Sequence, residues 1–310
     1  MRIVVFGYGA VGRDLTARLA ARGETVVVAQ RSRPAQLPQG AVFAPGDVTD
    51  RAAVAEIARG ADSLVCAVGF PYRAAVWESA WPAAMTALLA GAAQAGARFV
   101  FADNLYMHGP RTQPLREDDP LTDYGRKPRL RADITRAWKA AHNAGDVRAV
   151  AVRAPDFYGP RVETSVISQY GVARLLAGKP ALIPYACDFP HDYAYVPDVA
   201  RALVELIDAP DDACGQAWNV PSAPTRTLRE ILTLAAQIAG VPLRIQAIPG
   251  WAQRLVGLFE PNMRELVEMR FQTDRPYLVD HSKFSSRFGW EATSFEDGLA
   301  ATITSYRAAA

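Results

Sequence analysis

The stretch Arg2-Ile-Val-Val-Phe6, continued by Gly7-Tyr8-Gly9-Ala10-Val11-Gly12 and a helix-like run to Arg22, decides the fold. The first five residues form an apolar run rather than an alternating one, which marks a strand covered on both faces. The glycine pattern G-x-G-x-x-G follows at once and opens a helix closed by Gly23. Glycine there permits a tight turn, close approach of backbone to a pyrophosphate, and packing of helix on strand. The helix amino terminus adds N–H groups and the positive end of its dipole. Within a strand–helix–strand unit, this pattern points to a bound dinucleotide. A purely structural strand–helix corner is the plainer alternative.

Working outward, the same alternation repeats. Thr25 to Ala29 reads as a second strand, Ala41 to Phe43 as a weak third, and Ser63 to Val68 as a fourth. A helical stretch from Trp77 to Ala95 follows, with an interruption expected at Pro82. Arg98 to Ala102 is a fifth strand, Pro128 to Ala144 a helix, and Val147 to Arg153 a sixth strand. Strand–helix repetition of this kind predicts an α/β fold, a doubly wound parallel sheet of Rossmann type. Beyond Arg153 the strands become hard to place, and helices are expected over Val196–Ile207, Thr227–Ala239 and Gln253–Arg270.

The end of the second strand bears on which dinucleotide is held. An acidic residue there would bind a ribose 2′-hydroxyl, but the chain reads Ala29-Gln30-Arg31-Ser32-Arg33. Arginine suits a 2′-phosphate through planar charge-assisted bonds, so NADP is expected in preference to NAD, with Arg31 and Ser32 as contacts. A solvated basic loop is the alternative.

Composition narrows the classes. With 310 residues the chain has room for about two domains of ~100–200 residues each. Lys and Arg total 34 against 32 Asp and Glu, so the net charge of +2 offers no electrostatic footprint for nucleic acid or an anionic membrane. No apolar run approaches ~18 residues, so no membrane span is expected, and Met1 to Phe6 does not read as a targeting peptide. Cys66, Cys187 and Cys214 are odd in number and widely spaced, which fits a reducing cytoplasm. His108, His142, His191 and His281 lack metal-ligand spacing, so no metal is expected.

Further motifs, in this order and spacing, resemble the extended short-chain dehydrogenase/reductase superfamily in its NAD(P)-dependent epimerase/dehydratase branch. Gly46-Asp47-Val48-Thr49-Asp50 resembles the turn that contacts adenine, and Ala67-Val68-Gly69 the end of the fourth strand against the cofactor. Arg98-Phe-Val-Phe-Ala-Asp-Asn-Leu-Tyr-Met-His-Gly109 resembles the fifth strand and active-site loop. Arg153-Ala-Pro-Asp-Phe-Tyr-Gly-Pro160 resembles R-P-x-N-x-Y-G-P, and His191-Asp-Tyr-Ala-Tyr-Val-Pro-Asp198 resembles R-D-F-V-Y-V-D-D with His191 in place of Arg. Gly215 to Val220 and the segment from Asp280 to Leu299 extend the likeness to about Thr304.

The resemblance implies a Rossmann-like domain over residues 1–155 plus about 188–221, with a smaller interleaved carboxyl-terminal lobe over 156–187 plus 222–310. It implies hydride transfer at an alcohol or carbonyl carbon of a small organic or nucleotide-sugar substrate, in a cytoplasmic homodimer. Pro155 joins the cofactor residues, and Tyr106, Asp156, Tyr158, Arg161 and His191 are the implied substrate contacts. Three departures stand out. Phe6 occupies the place of the family's first glycine. The catalytic hydroxyl after the fifth strand maps onto Asn104, which has none. The family's Y-x-x-x-K is one residue short at Tyr124-Gly-Arg-Lys127, with Pro128 in the place of Lys. Tyr124, Lys127 and Asn104 are nonetheless the catalytic candidates. A solvent-facing basic turn at Tyr124–Lys127, and a cofactor-binding redox sensor without catalysis, are the alternatives that these departures keep open.

Overall fold

The computed structural model describes residues 1–248 and 265–308, and it divides into two compact units. The first comprises Met1–Met107, Pro120–Arg153 and Val199–Trp218; the second comprises His108–Asp119, Ala154–Asp198 and Asn219–Ala310. The chain thus leaves and re-enters the first unit twice. The return segment, Val199–Trp218, is narrower than the stretch of about 188–221 anticipated from sequence, and the excursion at His108–Asp119 had no sequence signal.

The first unit is built on a seven-stranded sheet. Strands β1 (Arg2–Phe6), β2 (Thr25–Gln30), β3 (Ala41–Pro45), β4 (Ser63–Cys66), β5 (Arg98–Asp103) and β6 (Ala149–Arg153) are joined by a last strand, Ala217–Asn219. From that last strand the order runs β6, β5, β4, β1, β2, β3, and β1–β2, β2–β3, β1–β4, β4–β5 and β5–β6 all pair parallel. This is the doubly wound arrangement, reversing direction beside β1, where ligands bind outside the carboxyl ends of the strands. The continuous apolar runs find their reason here, since Ile3, Val4, Val5, Leu64, Val65, Phe99 and Val100 are all fully buried.

The helices of this unit are α1 (Ala10–Ala21), α2 (Arg51–Ala58), α3 (Ala74–Ala95), α4 (Lys127–Asn143) and, over most of its length, Val196–Asp208, which was expected over Val196–Ile207. The short α2 was not anticipated, although Asp50 caps it by accepting from the Ala52 and Ala53 N–H groups. The interruption expected at Pro82 is corrected: α3 runs unbroken through it. Pro82 and Glu78, whose carbonyl loses its helical partner, both lie on the exposed face, where the carbonyl is open to solvent. Trp77 and Trp81, on the opposite face, meet edge to face at 6.2 Å and are buried within the unit. The fourth strand stops at Cys66 rather than Val68, and its thiol, fully buried, is pushed up to about 11 by desolvation.

The second unit has its own core. Helices Leu228–Ala239 and Phe295–Arg307 bury Ile231, Leu232, Leu299 and Ile303 against Ile167, Ala181 and Ile183. The first of these helices opens on a capping box in which Thr227 and Glu230 satisfy each other's backbone N–H. Short strand pairs organise the rest. Phe157–Tyr158 lies parallel to Ala194–Tyr195, and Pro190–His191 antiparallel to Arg226–Thr227. Strands of two residues carry no periodicity, which is why sequence could not place them. Most of the helix expected over Gln253–Arg270 falls outside the described residues. Among those residues, no helix is long and apolar enough to cross a membrane, and no group of three or more His, Cys, Asp or Glu could hold a metal ion.

Candidate functional site

The glycine turn lies at the carboxyl end of β1. Gly7 N–H donates to the Ala29 carbonyl at 3.0 Å, and Ala67 N–H donates to the Phe6 carbonyl at 2.8 Å, so the turn is fixed between β2 and β4. Gly7 has φ +96°, and a Cβ there would lie 2.5 Å from the Ala67 oxygen. A Cβ on Gly12 would lie 2.1 Å from the Gly7 oxygen. Both positions therefore need glycine for the turn itself. Gly9 differs, because a Cβ there meets nothing within 4 Å. Its backbone faces open space beside the helix start.

Gly9 is also the N-cap of α1 and supplies no capping side chain, and the first turn carries no acidic residue. The leading N–H groups of Ala10, Val11 and Gly12 thus face the dipole's positive end without a carboxylate competing for them. This cradle fits a pyrophosphate. Tyr8, Val11, Ala67 and Val68 are partly exposed around it, and Gly69 is exposed.

Across the strand ends, Asp47 accepts from Thr49 N–H at 2.9 Å and from Thr49 Oγ1 at 2.7 Å. These bonds, with the charge of Arg31, hold its carboxyl below the usual range, so it stays ionised. Val48 is buried beside it. Arg31 and Ser32 are exposed, while the Arg33 guanidinium lies 5.9 Å from the Phe43 ring centre.

The loop after β5 is ordered by its own polar groups. Asp103 accepts from Asn104 N–H at 2.8 Å, and Asn104 Oδ1 accepts from Tyr106 N–H at 3.1 Å. The Oδ1 of Asn104 keeps a second lone pair and its Nδ2 is a donor, so the side chain can both accept and donate. The Tyr106 ring stacks on Trp77 at 6.2 Å. Tyr124 is 42% exposed in the turn before α4. Lys127 is the first residue of α4, not part of that turn as its spacing suggested, and it is fully buried with Nζ 4.8 Å from the Tyr72 ring centre. The solvent-facing description thus fits Tyr124 and not Lys127.

Sequence reasoning missed the buried charges beneath this loop. Asp103 pairs with Arg131, and its other oxygen lies 3.7 Å from Arg153 Nε. All three side chains are at most 2% exposed, and Arg131 also lies 4.3 Å from the Trp81 ring centre. Arg131 falls one turn after Lys127 on the buried face of α4. A pair of cations at that spacing on an otherwise apolar face was the available signal.

In the second unit Pro155 is buried and Asp156 is half-buried, 3.5 Å from Nε2 of His191. Tyr158 is fully buried, stacked on Phe295 and pressed against Gly298, so its ring is part of the core. Arg161 is exposed and has φ +59°, the one non-glycine residue among those described in the left-handed region.

The comparisons agree with this architecture. Three solved structures that the chain resembles are the UDP-glucose 4-epimerase of Thermus thermophilus with NAD, the UDP-glucuronic acid 4-epimerase of Bacillus cereus with UDP-glucuronic acid and NAD, and the dTDP-glucose 4,6-dehydratase of Streptomyces venezuelae with NAD. The first is 21% identical with TM-score 0.80, the second 16% with 0.82, each over 100% of both chains. The third is 20% identical with TM-score 0.82, over 99% of this chain and 97% of that one. At such identities the likeness is one of fold. No curated protein sequence matches the chain. The profile of the NAD dependent epimerase/dehydratase family matches residues 3–220, which contain the glycine turn, the Asp47 turn and the Asn104 loop, and the chain belongs to that family.

Proposed function

We propose that the chain is an enzyme of the epimerase/dehydratase type that uses NADP in preference to NAD. Its substrate is a small organic molecule or nucleotide sugar, with reaction at an alcohol or carbonyl carbon. The observation that carries this reading is the open backbone at Gly9 beside the uncapped start of α1, a cradle that a single side chain would fill. The nucleotide sugars and NAD held by related structures support the substrate class and a dinucleotide, and the preference for NADP rests on Arg31 and Ser32 alone. When bound, the nicotinamide supplies the hydride chemistry.

This chain's own residues do the rest. The glycine turn holds the pyrophosphate, and ionised Asp47 accepts from the adenine amino group. Arg31 and Ser32 take the 2′-phosphate. Removing one charge-assisted contact costs about 1.5–3 kcal/mol, or roughly ten- to over a hundredfold in affinity. Arg31→Ala should therefore narrow the preference for NADPH over NADH by that factor in fluorescence titrations. Equal affinities in the parent chain would overturn the NADP assignment.

Asn104 Nδ2 donates to the substrate oxygen, and Tyr124 handles the proton, with Lys127 as its electrostatic partner. General acid–base help is typically worth ~10²–10⁴ in rate. Tyr124→Phe should lower the single-turnover rate by that order, with NADPH affinity nearly unchanged. Near-parental rates would remove Tyr124, and loss confined to Tyr106→Phe would move the role there. The exposure of Tyr124 and the burial of Lys127 against Tyr72 favour a second reading, a dinucleotide-binding redox sensor without turnover. Turnover assays on aldehydes, ketones and nucleotide sugars separate the two. The family reading further makes the protein a homodimer, and its scattered cysteines suit a cytoplasmic location; light scattering should give about twice the 33.6 kDa chain mass, and a monomer at all concentrations would contradict the dimer.

A further inference from the structure

His191 is held in one orientation within the second unit. Its ring stacks on Tyr193 at 4.3 Å and lies 5.1 Å from the Tyr277 ring. Nδ1 is 3.0 Å from the Gln272 carbonyl oxygen. A carbonyl only accepts, so Nδ1 carries the proton of the neutral ring and Nε2 presents a lone pair. That Nε2 is buried, has no hydrogen-bond partner among the described residues, and faces Asp156 Oδ2 at 3.5 Å. A carboxylate set against a lone pair is repulsive, and one proton between them relieves it whichever atom holds it.

We infer that Asp156 and His191 hold a single proton between Oδ2 and Nε2, and that the second oxygen of Asp156 is a binding point for a ligand hydroxyl. The other titratable groups around His191 do not compete for this proton. Asp192 is engaged by Thr225 Oγ1 at 2.5 Å and Val279 N–H at 2.8 Å. Tyr185, Tyr193 and Tyr277 are phenols, and burial pushes Tyr193 well above its ordinary range. Burial drives the His191 imidazole down, and the attraction of Asp156 opposes that shift.

Access fixes which member meets the ligand. Asp156 is 36% exposed at its side chain and His191 4%. The cavity beside the imidazole, lined by Tyr185, Phe189, Tyr193 and Gln272, has a volume of about 10 Å³, room for one water. A ligand therefore comes to Asp156. With its proton the pair bears no net charge and offers an acceptor, which a hydroxyl satisfies and sulfate, an anion with no proton to donate, does not. This half of the inference rests on the polar substrate proposed above; the shared proton does not.

Nitrogen-resolved NMR of the full chain, labelled at histidine, tests both halves. The parent should show the Nδ1–H form of His191 and a titration step that Asp156→Asn removes, because an amide donates to Nε2 without titrating. A neutral ring with Nε2–H and no proton on Nδ1, or an unchanged step in Asp156→Asn, would overturn the pair. Methyl glucoside should shift the His191 signals of the parent and not of Asp156→Ala, while sulfate at equal concentration should not. A glycoside without effect, or sulfate with the larger one, would overturn the hydroxyl site and leave the pair standing. NADPH titration of the same samples keeps failure of the functional proposal separate from either result.

Discussion

Gly12→Ala should weaken dinucleotide binding by roughly thirty- to a hundredfold, whereas Gly9→Ala should weaken it without touching the fold. The added Cβ at residue 12 lies 2.1 Å from the Gly7 carbonyl oxygen, so the turn must open to admit it. Displacing backbone held between β2 and β4 costs about 2–3 kcal/mol, and each ~1.4 kcal/mol is tenfold in Kd. At residue 9 the Cβ meets no protein atom, and the backbone sits at φ −72°, which any residue adopts. Thermal stability of Gly9→Ala should stay within about 0.5 kcal/mol of the parent. Its dinucleotide affinity should still fall about tenfold or more, because the methyl group stands where the pyrophosphate must approach. Calorimetric titration alongside thermal melts reads both quantities. Parental affinity in Gly9→Ala would mean that nothing approaches that backbone.

The second large effect concerns the charges under the Asn104 loop. Asp103→Asn should cost roughly 3–5 kcal/mol of stability, the range found when one member of a buried ion pair is removed. The side chain of Asp103 is 0% exposed and that of Arg131 2%, so the guanidinium left behind cannot turn to water for solvation. The loss should also reach the Asn104 loop, since the same carboxylate accepts from Asn104 N–H. The triple variant Asp103→Leu, Arg131→Met and Arg153→Leu should recover part of the stability, because packed apolar side chains replace all three buried charges. Denaturant melts decide it. A loss under about 1 kcal/mol in Asp103→Asn would show that the pair contributes little, as exposed pairs do.

What sequence made legible follows from how local each signal is. The glycine turn is legible because its requirements are met within six residues, and the buried strands because each is a short continuous run. Pro82 misled because a ring that breaks a helix in isolation is tolerated on a solvated face. Tyr124 and Lys127 are three apart in sequence, yet one is exposed and the other sits under Tyr72, because α4 opens between them. The polar clusters were beyond reach for a different reason. Asp103 and Arg131 are 28 positions apart, and His191 and Gln272 are 81 apart. Such contacts depend on the completed fold, and nothing in the spacing of their residues announces them. The return of the chain to the first unit at Val199 was legible only as a family expectation, and its limits were not.

The central claim is that the turn from Gly7 to Gly12 holds a dinucleotide. Isothermal titration of the unaltered chain with NADPH, and separately with NADH, tests it most directly. The account predicts saturable binding of one dinucleotide per chain, tighter for NADPH. Absence of saturable binding by either would contradict it.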